Sequence, residues 1–117
     1  MKISEPVFDT SINFITGCSE KVFDRRWNTN NSDSDERGTV GKTLTGAGED
    51  VWIWIHRKDD IETLVHELSH AIRFLLQDEK EIMFSRETDE VYAYLLSSYT
   101  REYLKRIGLK RLTYEHI

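Results

Sequence analysis

Apolar positions in this chain fall in short runs up to residue 58 and recur at helical spacing beyond it. Ile61, Leu64, Val65, Leu68, Ile72, Leu75 and Leu76 follow the three-then-four rhythm of one helix face. They predict a helix from Asp59 or Asp60 to about Gln77 or Asp78. Either aspartate can cap it, and Glu62 suits the positive end of the helix dipole. Asp78-Glu79-Lys80-Glu81 is a charged link, and residues 82–86 fit no single pattern. A second helix is expected from near Glu87 to about Ile107, with Val91, Leu95, Leu96, Tyr99, Tyr103 and Ile107 on its apolar side. Gly108 is placed to stop it. Before residue 58, segments 7–15, 22–27, 39–45 and 51–55 are rich in β-favouring residues and read as strands. In the last of these, Val51, Ile53 and Ile55 point one way, and Trp52, Trp54 and His56 the other. Residues 28–38 contain no apolar side chain and read as an exposed, mobile loop, and residues 46–50 read as a turn. Neither a repeat nor a linker divides the chain, so a single domain over 1–117 is expected. Its class is α+β: a small twisted, mostly antiparallel sheet of three or four strands in the N-terminal half, packed against two helices.

Composition narrows the partners. The length of 117 residues, with 38% hydrophobic and 11% aromatic content, suffices for a core without disulfide staples. A formal net charge of −5 argues against broad phosphate binding, so no nucleic-acid partner is expected. No apolar run approaches the roughly 18–20 residues of a membrane span, and the N-terminal residues lack a secretory pattern. The lone Cys18 excludes an intramolecular disulfide framework and a cysteine-based zinc finger. These features together point to the cytoplasm.

The chemistry concentrates in His66-Glu67-Leu68-Ser69-His70, in the middle of the first long helix. Two imidazoles four residues apart share one helix face and can reach one ion, and the glutamate beside the first can hold and deprotonate a water. With His66 at zero and about 100° per residue, His70 falls near 40° and the apolar stripe lies at about 160–240°. Both histidines thus sit opposite the core-facing stripe. Gly41-Lys42-Thr43 invites a phosphate-loop reading. It fails because Glu36 occupies the place of the earlier glycine and no helix follows.

A catalytic zinc takes three protein ligands and keeps an open position. A third histidine six residues past the second is excluded, because Leu76 stands there. Glu87 and Glu90 on the second helix remain, with Asp89 after them, and periodicity does not choose between them. A first-turn glutamate is also favoured simply by the helix dipole.

Thr63-Leu64-Val65-His66-Glu67-Leu68-Ser69-His70-Ala71, after the segment Val51-Trp52-Ile53-Trp54-Ile55, resembles the strand and active-site helix of zincin metallopeptidases. Glu90-Val91-Tyr92-Ala93-Tyr94-Leu95-Leu96 resembles the glutamate helix of the gluzincin class, and the wording is most like small zincin-like proteins of bacteriophages and prophages. In gluzincins the third ligand lies some twenty residues or more past the second histidine. Glu90 lies twenty past His70 and Glu87 seventeen, so the resemblance selects Glu90. It implies a Zn²⁺ ion on His66, His70 and Glu90, with Glu67 as general base on a zinc-activated water that hydrolyses a peptide or protein substrate. It also implies a cleft beside the strand at 52–55, with an extended peptide pairing along that strand's edge, and a second electrophile for which Tyr94, Arg73, His56 and His116 are candidates. The compartment it implies is the cytoplasm of a bacterial host. Two departures stand out. Tyr94 occupies the place where many gluzincins carry an aspartate behind a zinc-bound histidine, and the chain is too short for the second lobe of larger relatives. The alternative is a non-catalytic zincin-like metal-binding or host-interaction protein.

Overall fold

The two most apolar strands of the chain lie side by side at the centre of its sheet. A computed structural model describes residues 1–27, 40–45, 50–79 and 86–108. The strands are β1 (Lys2–Glu5), β2 (Thr10–Thr16), β3 (Gly41–Leu44) and β4 (Trp52–Ile55). The helices are α1 (Glu20–Trp27), α2 (Ile61–Phe74), which runs on into a π-helical turn (Leu75–Glu79), and α3 (Arg86–Ile107). Strand order is β1-β2-β4-β3. The two outer pairings are antiparallel and the central one, β2 with β4, is parallel, with Phe14 opposite Ile53 and Thr16 opposite Ile55. A parallel pair needs a long crossover, and α1 lies within it. Among the described residues the fold is therefore α+β, a four-stranded mixed sheet with three helices.

Alternation along the central strands assigns each face. Ile12 and Phe14 of β2, with Val51, Ile53 and Ile55, pack against Leu64, Leu68, Ala71 and Ile72 of α2 and Leu95, Tyr99 and Tyr103 of α3 in one core. Trp54 points to the other face, where it is fully buried, stacks on Phe23 of α1 at 5.7 Å and donates its indole N–H to the Cys18 carbonyl at 3.0 Å. Both faces of β4 are thus covered, as its pattern predicts.

Three strand expectations change. Residues 22–27 lie in α1, not in a strand: Ser19 caps that helix through its side chain and carbonyl, and Phe23 is its buried anchor. Residues 7–9 belong to a turn. The buried Glu5 carboxylate accepts from the backbone N–H of Val7 and Phe8, and Asp9 takes φ 53°. The segment before that turn pairs as β1, with Ile3 and Glu5 inward. Finally, β4 is an inner strand, so the sheet edge near α2 belongs to β3. The loop expected at 28–38, the residues at 46–49 and the tail from 109 lie outside the described residues.

The helix signals fare better. Asp60 caps α2, accepting from the Thr63 backbone at 3.1 Å and from its hydroxyl, and these bonds hold its carboxyl below the ordinary carboxylate value. Gly108 follows α3 with φ 82°, the left-handed conformation that ends many helices. Inside the core, the Tyr99 hydroxyl pairs with Thr10 at 2.7 Å and the Tyr103 hydroxyl donates to the Lys58 carbonyl at 2.7 Å. Burial pushes both phenols up to about 12. Among the described residues, no helix is long and apolar enough to cross a membrane.

Candidate metal centre

The amphipathic pattern of α2 decides which residues of its motif meet solvent. Leu64, Leu68, Ala71 and Ile72 face the core, so the opposite side carries His66 and His70, both exposed. Their Nε2 atoms lie 3.3 Å apart. Two nitrogens at that separation, each about 2.05 Å from a shared ion, subtend about 107°, close to the tetrahedral value. The pair therefore fits two adjacent positions of a zinc site. The same distance also allows one ring to donate to the other.

Glu67 is in a different environment. It is only 8% exposed, and a buried carboxylate requires hydrogen-bond donors. Thr43 of β3 supplies one, its hydroxyl lying 2.7 Å from Oε1 and 3.0 Å from the Glu67 carbonyl. The other oxygen, Oε2, lies 4.0 Å from Nε2 of His66. Strand and helix come this close because residue 41 is glycine. A Cβ there would stand 3.1 Å from Cγ of Glu67 and 3.3 Å from the Trp54 carbonyl, and would collide with the Thr63 side chain. Beside this contact lies an open groove of about 380 Å³, lined by Thr43, Thr45, Glu67, His70, Arg73, Phe74 and Gln77.

His66, Glu67 and His70 are thus brought together, and Arg73 lines the same groove one turn beyond His70. Glu90 is not brought to them. It is exposed on α3, nine residues before the buried Tyr99, and so about 180° around the helix from it. Among the described residues, no three His, Cys, Asp or Glu side chains form a metal-holding group. The Glu87 side chain and His116 lie outside the described residues, and Asp89 is exposed. Of the other proposed electrophiles, Tyr94 donates to Glu5 at 3.1 Å and meets Phe8 edge-on, while His56 tilts against Trp54 with ring centres 6.2 Å apart. Both hold to other parts of the molecule.

Sequence reasoning missed Thr43 and Gly41. The available signal was the strand alternation itself: Gly41 and Thr43 share one face of β3, whereas Lys42 points to the other, toward Glu20 and Asp24. No protein-family model matches this chain, and neither a curated protein nor a solved structure shows significant similarity to it.

Proposed function

We propose that the chain is a zinc-dependent hydrolase of peptide bonds, with His66 and His70 as protein ligands and Glu67 as general base. One observation carries this reading: a histidine pair at tetrahedral bite distance beside a buried glutamate with one oxygen directed toward it. Zinc, when bound, supplies a Lewis acid for the scissile carbonyl and brings the pKa of a water near neutrality. Glu67 takes the proton on Oε2, the oxygen that Thr43 leaves available, and passes it to the leaving amine. β3 is the sheet edge beside the groove, so an extended peptide can align along it by main-chain hydrogen bonds. The free thiol of Cys18 suits a reducing compartment, the cytoplasm, and the phage likeness makes it that of a bacterial host.

A second reading is favoured by the histidine pair itself, which supplies two of the three protein ligands that a catalytic zinc takes. On that reading the chain holds a metal without hydrolysing peptides, or binds a host protein. Chelation separates the two. Loss of a structural metal lowers the melting temperature strongly, because binding is then part of folding, whereas loss of a catalytic metal abolishes activity with a milder thermal effect.

The decisive experiment measures zinc content and hydrolysis of a mixed quenched-fluorescent peptide library. The wild type is expected to carry stoichiometric zinc, and the His66→Ala, His70→Ala double variant none. Glu67→Gln is expected to keep the metal and lose hydrolysis. Wild-type activity in Glu67→Gln overturns the base assignment. Equal metal content in wild type and double variant overturns the metal site.

A further inference from the structure

We infer that Thr43 is a positioning residue for Glu67, engaging one carboxylate oxygen and thereby directing the other toward the histidine pair. The inference rests on the zinc-hydrolase reading and deepens it.

A glutamate side chain has three rotatable bonds, and nothing in a helix fixes which of its oxygens faces a neighbour. In this protein, β3 does so. The Thr43 hydroxyl carries one proton and has two acceptors within reach, Oε1 at 2.7 Å and the Glu67 carbonyl at 3.0 Å. The shorter contact, to the charged group, is the stronger bond. With Oε1 engaged, Oε2 is the oxygen left on the His66 side, 4.0 Å from Nε2. Threonine suits this task on a strand, because its β-branch restricts the rotamer that aims the hydroxyl.

The strand is itself held from both faces. Gly41, two residues earlier on the same side as Thr43, permits the close approach to α2. Lys42, on the opposite side, bridges Glu20 at 3.0 Å and Asp24 at 2.9 Å, which ties β3 to α1. The three consecutive residues Gly41, Lys42 and Thr43 thus set the distance, the anchorage and the hydrogen bond in turn.

The test compares the full-length wild type with Thr43→Val, which keeps the shape and removes the hydroxyl, and Thr43→Ser, which keeps the hydroxyl. Side-chain scalar couplings of Glu67, measured by NMR, report its rotamers without reference to activity. Wild type and Thr43→Ser are expected to show one rotamer, and Thr43→Val an averaged set. Thr43→Ala serves if the valine variant does not fold. On the peptide library, loss of the hydroxyl is expected to lower kcat by about tenfold or more with KM little changed, and Thr43→Ser to restore it. A single Glu67 rotamer in the hydroxyl-free variant overturns the positioning role whatever the activity. Unchanged kcat in that variant also overturns it. Averaged couplings alongside a wild type that hydrolyses nothing support the positioning role and overturn the hydrolase reading alone.

Discussion

Helices α2 and α3 each carry a polar face opposite an apolar stripe, and on α2 that face borders an open groove lined also by β3. On α2, β3 approaches so closely that a methyl group at residue 41 would not fit, and Glu67 becomes a buried carboxylate with a partner. On α3, Glu90, Ala93, Ser97 and Arg101 are exposed on the side away from Tyr99. A polar helix face thus gains a buried, hydrogen-bonded carboxylate when a neighbouring strand shields part of it, and here one glycine allows that.

The largest expected effect breaks this shielding. Gly41→Val should cost about 3 kcal/mol by urea denaturation, because the new side chain overpacks the contact between β3 and α2. Ala93→Leu, an enlargement on the exposed face of α3, should stay within about 0.5 kcal/mol. Similar costs for both would erase the distinction between the two helices.

Next in size is metal affinity. On the proposed reading His70→Ala removes a direct ligand, and it should weaken zinc binding by about a hundredfold or more in calorimetric titration, since even indirect supports of a ligand are worth 10–100-fold. Glu90→Ala should change it by less than about twofold, because that carboxylate faces away from the packed side of α3. A large loss in Glu90→Ala would show that α3 turns its polar face to the histidines in solution.

Smaller effects come from the anchors of each helix. Tyr99→Phe and Tyr103→Phe each remove a buried hydrogen bond and should cost about 1 kcal/mol near neutral pH. Both phenols titrate near 12 in the folded chain, above their ordinary value of 10.0. Their contribution is therefore complete below pH 10 and declines as pH rises toward 12. Denaturation curves should show this alkaline loss in the wild type and less of it in the double phenylalanine variant. The cap of α2 is comparable to either tyrosine alone. Asp60→Ala should cost about 1 kcal/mol at neutral pH. The folded carboxyl titrates below its ordinary value, so that stabilisation is present above about pH 4 and fades as pH falls further.

Sequence legibility followed the range of each interaction. The pair His66 and His70 was legible because helix geometry alone joins residues four apart. The caps at Asp60 and Gly108 were legible for the same local reason. Glu90 was selected by likeness to a family, whereas the apolar stripe of α3 governs where that residue points. Strand β1 escaped notice because four residues with only Ile3 apolar leave little alternation to see. Residues 22–27 misled because valine, phenylalanine and tryptophan favour strands, although the serine before them starts a helix. The bond from Thr43 to Glu67 spans 24 residues and two element types, so no local pattern encodes it.

The parallel pairing of β2 with β4 has a consequence for the order of events. Closing it requires the intervening chain, α1 included, to fold back across the sheet, and such non-local closures are slow. The imidazole pair needs only one helix, and helices form within about a microsecond. The imidazole pair can therefore be assembled on a nascent α2 well before the sheet is complete and β3 reaches Glu67. Formation of the pair and fixing of the carboxylate are thus separate events, the first early and local, the second waiting on the whole topology.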